Sequence, residues 1–117
     1  MILLSLNIRG VGGSQKLASV QRLISIHHLE IIFLQETLVD EIKACCFISK
    51  LKLDWHMTAV NSLDRSRGLL VAWDPKKFVL KPFISCGGIM LSGYNNELKR
   101  HLTFLNVYGS CTEWKIF

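Results

Sequence analysis

The stretch Glu30-Ile31-Ile32-Phe33-Leu34-Gln35 decides the fold, because four consecutive large apolar residues are closed at both ends by polar ones. A run so short, rich in β-branched and aromatic side chains, predicts a central strand covered on both faces. Toward the N-terminus, Ile2 to Leu6 is a second apolar run ending at Asn7, and Arg9-Gly10-Val11-Gly12-Gly13 has the glycines of a loop. Between the two runs Ser14 offers an N-cap, and Leu17, Val20, Leu23, Ile24 and His27 recur at three-to-four spacing. The unit reads as strand, amphipathic helix, strand. Such a crossover between parallel strands brings both C-terminal ends to one sheet edge.

Toward the C-terminus, residues 41 to 51 predict a second helix, with Ile42, Cys45, Cys46 and Ser49 on one side and Phe47, Ile48 and Leu51 broadening the apolar face. Its charges are few, which predicts a largely covered helix. Trp55 to Val60, Gly68 to Trp73, Phe78 to Ser85, Ile89 to Tyr94 and His101 to Val107 then read as strands of successive hairpins. The turn signals between them are residues 61 to 67, Asp74-Pro75-Lys76-Lys77, Cys86-Gly87-Gly88 and Asn95-Asn96. Trp73 is expected in the core.

Length and composition narrow the class. With 117 residues, half of them hydrophobic, the chain supports one domain with a real core and excludes intrinsic disorder. No apolar run reaches the ~18 residues of a membrane span. The opening Met1-Ile2-Leu3-Leu4-Ser5-Leu6 lacks the basic flank and cleavage site of a secretory signal. The expectation is an intracellular protein, nuclear or cytoplasmic, without a membrane partner or small-molecule cofactor. Cys45, Cys46, Cys86 and Cys111 form no C-x-x-C pair, which argues against a zinc site or disulfide framework. A net charge of +5 permits a polyanionic partner without identifying one.

Asn7 and Glu36 fall at the two strand ends predicted to share an edge. An amide oxygen beside a carboxylate suits a hard divalent cation such as Mg²⁺, which takes oxygen ligands and keeps several waters. Spacing alone leaves the alternatives open, since Asn after a strand is often a turn former and Glu36 could simply begin the next helix. His27, His28, His56 and His101 match no catalytic motif, and Asp74 carries no assignable role.

Four segments in order sharpen this reading: Ser5-Leu6-Asn7-Ile8-Arg9-Gly10, Ile31-Ile32-Phe33-Leu34-Gln35-Glu36-Thr37, residues 67 to 75 (RGLLVAWDP) and residues 102 to 109 (LTFLNVYG). Together they resemble plant LINE-type (non-LTR) retrotransposon endonucleases, members of the deoxyribonuclease-I-like endonuclease/exonuclease/phosphatase superfamily. The resemblance runs the length of the chain. It implies a four-layer α/β sandwich of which residues 1–117 form the N-terminal portion, the C-terminal half being missing, with an N-terminal β-α-β unit followed by β-hairpins. It implies Mg²⁺ or Mn²⁺, weakly held, at Asn7 and Glu36, with Tyr108 at the substrate phosphate and Asn106 in a supporting substrate-binding role. The partner implied is the phosphate backbone of DNA.

The family's later Asp-x-Asn and Ser-Asp-His segments, which orient and activate the attacking water, do not occur before Phe117. Ser110 stands where the family has proline, Glu113-Trp114-Lys115-Ile116-Phe117 replaces a Glu-Arg-x-x-Phe-Trp continuation, and a Ser-Gly-Gly is shortened to Ser66-Arg67-Gly68. The expectation is an eroded fragment of a metal-dependent DNA endonuclease, catalytically incompetent alone. The alternative is a domesticated, non-catalytic module that binds nucleic acid or protein. A phosphoinositide phosphatase of the same superfamily fits the WDP and NVYG segments less well. Architecturally, the first two strands are expected at the centre of one sheet extended by the hairpins, with the second sheet largely absent. The resulting open core would favour oligomers or aggregation.

Overall fold

The computed structural model describes residues 1–12, 14–51, 54–60, 68–85 and 88–107, with nothing stated for the Glu41 side chain. The elements follow the order β1 (Leu3–Asn7), α1 (Ser14–His27), β2 (Ile31–Gln35), α2 (Glu41–Lys50), β3 (His56–Val60), β4 (Leu69–Trp73), β5 (Phe78–Ser85), β6 (Gly88–Asn95) and β7 (Arg100–Val107). β1 and β2 pair in parallel, Leu3 opposite Ile31 through Asn7 opposite Gln35. β4 then pairs antiparallel with both β2 and β3, giving a first sheet of order β1-β2-β4-β3.

The β3–β4 pair extends that sheet as expected, but the later hairpin strands do not. β5, β6 and β7 form a separate antiparallel sheet, so the expectation of one extended sheet is corrected, and β1 lies at an edge of the first sheet rather than at its centre. The reason lies in the two-sided burial of β2 and β4. Ile32, Leu34, Leu70 and Ala72 face the helices, while Ile31, Phe33, Leu69, Val71 and Trp73 face the other way. Strands so apolar on both sides require a cover on each. The second sheet supplies it through Phe78, Ile89 and Leu91, with Leu80, Leu102 and Phe104 against them. Phe104 stands edge-on to both Phe33 and Phe78, with ring centroids 5.8 and 5.9 Å apart. Leu70 is fully buried; its truncation to Ala would cost about 2–5 kcal/mol.

The helices cover the opposite face. Val20 of α1 is buried, with Leu17, Leu23 and Ile24 packed against the same core, but His27 is exposed. On α2 only the Phe47, Ile48 and Leu51 part of the expected apolar face is buried; Ile42 is 75% exposed, and Cys45, Cys46 and Ser49 also face solvent. The buried stripe is Ala44, Phe47, Ile48 and Leu51. Those residues follow i, i+3, i+4, i+7 strictly, and the small Ala44 lets the helix approach the sheet. Asp40 caps α2, its side chain accepting from the Lys43 N–H at 2.9 Å.

Layers therefore run helices, first sheet, second sheet, with Trp73 in the core as expected. No helix among the described residues is long and apolar enough to cross a membrane.

Candidate functional site

Parallel pairing of β1 with β2 continues past the strands themselves. The Ile8 N–H donates to Gln35 O (3.0 Å), the Gly10 N–H to Glu36 O (2.7 Å) and the Val11 N–H to Thr37 O (3.1 Å). The loop after Asn7 thus runs beside the loop that carries Glu36, and the two residues occupy one sheet edge. Asn7 is exposed and Glu36 half-buried. Both helices also begin at this edge, which adds the positive ends of their dipoles.

The backbone here is unusual. Arg9, Glu36 and Leu38 hold φ values of +51°, +54° and +57°, and Gly10 and Gly68 lie at +97° and +87°. Left-handed conformations in non-glycine residues cost energy and persist where surrounding contacts over-determine them. Those contacts are visible. Asn7 Oδ1 accepts from the Arg9 N–H at 3.2 Å, the Lys16 ammonium donates to the carbonyls of Ile8 and Arg9, and the Thr37 N–H donates to Gly68 O at 3.2 Å. Gly68 begins the segment that leads into β4, so three loops are laced around Glu36.

Beneath the edge sits a buried polar network. Gln35 Nε2 donates to Asn106 Oδ1 at 2.7 Å and to Ser5 Oγ at 3.1 Å. Asn106 Nδ2 donates to Leu34 O (3.3 Å) and Leu70 O (3.1 Å). Asn106 is 2% exposed. Both ends of its amide are therefore engaged inside the protein, tying β7 to β2 and β4 across the sandwich, while Gln35 extends the network to β1. Of the sequence-derived site residues, the structure brings Asn7 and Glu36 to one edge and places Asn106 directly beneath it; Tyr108 lies outside the described residues.

Gln35, Thr37, Gly68 and Lys16 were not singled out from the sequence. Gln35 and Thr37 flank Glu36 directly, and a glycine immediately before the all-apolar Leu69–Trp73 strand was a usable signal for close backbone approach. Lys16 offered no such signal, because its role depends on carbonyl groups of a loop seven and eight residues away.

The donor types fit a hard divalent cation. Glu36 offers carboxylate oxygens, and the Asn7 amide oxygen, accepting one hydrogen bond, has a second lone pair available. Among the described residues no group of three or more His, Cys, Asp and Glu side chains comes together. One carboxylate and one neutral amide make a lean set of the kind Mg²⁺ uses when water and substrate oxygens complete its shell.

The architecture is that of an endonuclease/exonuclease/phosphatase-like α/β sandwich, in part. It is similar to an AP endonuclease from Leishmania major, with a TM-score of 0.62 at 13% sequence identity. The match covers 91% of this chain and 38% of that one. No protein-family model matches the chain, and no curated protein does.

Proposed function

We propose that this chain is the metal-side portion of a Mg²⁺-dependent phosphodiesterase acting on DNA, of retrotransposon origin, and that its 117 residues do not complete hydrolysis alone. The observation that carries the reading is the β1–β2 parallel pairing, which sets Asn7 and Glu36 at one edge of a nuclease-like fold. Glu36 would hold the cation through charge, and Asn7 would orient it through one amide oxygen. A bound Mg²⁺ would polarise a phosphoryl oxygen and favour departure of the alkoxide.

Asn106 acts in this reading as a positioning residue rather than as a direct substrate contact, since its amide is engaged by Gln35, Leu34 and Leu70. Tyr108 would donate its phenolic hydroxyl to the substrate phosphate. The residues that would position and activate water in the resembled family are not among these 117, and general-base assistance commonly contributes ~10²–10⁴ in rate.

Nicking of supercoiled plasmid in Mg²⁺ is the test, comparing the unmodified chain with Glu36→Ala. The expected result is no difference between them. A fusion to the C-terminal half of a complete relative should then nick in a manner abolished by Glu36→Ala. An active fusion indifferent to Glu36→Ala would overturn the site assignment.

A further inference from the structure

We propose that the cleft between α1 and α2 binds a small organic anion with an apolar body, at a site that stands whether or not the Asn7–Glu36 edge holds a metal. The cleft has a volume of about 350 Å³, within the ~300–1,000 Å³ range of small-molecule pockets. Val11, Leu17, Val39 and Phe47 give it apolar walls, and Lys43 and Lys50 line it from α2. The two lysines lie on one side of that helix, roughly 10 Å apart along its axis, with Cys46 between them. None of the described lining residues is acidic. The start of α1 adds to the positive character: Gly12 and Ser14 also line the cleft, and the first turn of this 14-residue helix holds no acid to offset the positive end of its dipole.

Hydrogen bonds hold the walls in place. The Val11 N–H donates to Thr37 O at 3.1 Å, Asp40 directs its carboxylate to the Lys43 N–H at 2.9 Å, and Gln21 Nε2 donates to Lys50 O at 3.2 Å, tying the second half of α1 to the end of α2. A cleft fixed in this way needs little ordering around a ligand. The ammonium groups of Lys43 and Lys50 make no hydrogen bond or ion pair among the described residues. Other surface lysines share that freedom. What sets these two apart is the apolar wall between them, which water solvates poorly and the hydrocarbon body of an anion covers.

The test uses the full chain with octanoate below its micelle concentration, octyl phosphate, octanol and acetate, read by amide NMR shifts and by alkylation with iodoacetamide. Octanoate should shift the Val11, Ser14, Leu17 and Val39 amides saturably. It should also slow alkylation of Cys46 but not of Cys45, since both thiols are exposed and only Cys46 lines the cleft. Octyl phosphate should occupy the same site, and the tighter of the two identifies the head group. Octanol should bind at least about fivefold more weakly, and acetate should not bind. Lys43→Met and Lys50→Met keep the bulk of the stem and should each weaken octanoate about threefold without moving the melting midpoint, as loss of a solvated ion pair does. Octanol binding as tightly as octanoate would overturn the proposal, because the lysine stems would then merely cover apolar surface. So would equal protection of Cys45 and Cys46, shifts centred on the exposed Val79, Leu105 or Val107, or no binding of either anion. Undiminished binding in both lysine variants, or an equal loss in Lys76→Met, would do the same.

Discussion

Thr37 lies directly over Gly68: a Cβ at Gly68 would stand 2.1 Å from Thr37 Oγ1 and 3.2 Å from the Leu38 nitrogen. Thr37 is 1% exposed, and its N–H donates to the Gly68 carbonyl. The residue after Glu36 is therefore seated on a glycine whose φ of +87° no other residue adopts readily.

Gly68→Ala should lose about 2–4 kcal/mol of stability, combining backbone strain with overpacking against Thr37. Thr37→Ala in the same chain should recover part of that loss, because it removes the hydroxyl but leaves φ unfavourable. Denaturant titration of the single and double variants measures this. Additive losses would show that the contact is not the cause.

Asn106→Leu should cost about 2–5 kcal/mol, since it leaves the Leu34 and Leu70 carbonyls and one Gln35 N–H without their buried partner. Gln35→Ala should cost less, because it frees only Asn106 Oδ1 and Ser5 Oγ, the latter at an exposed position. Thermal melts rank the two, and a greater loss for Gln35→Ala would contradict the inter-sheet role given to Asn106.

Paramagnetic broadening by Mn²⁺ should centre on residues 7–10 and 35–37. Glu36→Ala should weaken it more than Asn7→Ala, since removal of the carboxylate takes away charge and removal of the amide takes away one neutral donor. Broadening centred instead on Asp74 or Glu97 would move the metal to the opposite edge.

Leu105 and Val107 on β7, Val79 and Ile84 on β5, and Leu3 on β1 are large apolar side chains left exposed. Exposure on this scale favours self-association. Sedimentation should show mass rising with concentration, and Leu105→Lys should reduce it. A monomer at all concentrations would show that these side chains do not form a sticky surface.

Lys77 and Glu97 form an exposed ion pair, and the hydrogen bond between them is the chief cause that raises the lysine pKa and lowers that of the glutamate. The glutamate's contribution is present above its unfolded-state pKa and disappears as pH falls through its lower folded value. That of the lysine is present below its ordinary 10.5 and disappears as pH rises through its higher folded value. Both groups are solvated, so screening should make Lys77→Met nearly silent in stability at high salt. A large, salt-independent loss would point to packing by the lysine stem instead.

The local sequence by itself determined the elements. Apolar runs bounded by Asn7 and Gln35, hairpin signals at Asp74-Pro75 and Asn95-Asn96, and the crossover through α1 placed nine elements close to their observed bounds. It also placed Asn7 and Glu36 at one edge, because a parallel β-α-β unit allows little else. It did not determine which face of α2 is buried. Ile42 is as apolar as Ile48, and only the surface presented by the sheet distinguishes them.

Nor did periodicity reveal that the strands after Trp73 fold over the first sheet instead of extending it. A strand such as Leu69–Trp73, apolar at every position, states that both faces are covered but not by what. Asn106 shows the same division most sharply: its place on β7 was readable, yet its partners Gln35, Leu34 and Leu70 lie 71, 72 and 36 residues away. Hydrogen bonds over such separations exist only once two sheets have closed on each other, so the fate of that side chain belongs to the tertiary structure alone.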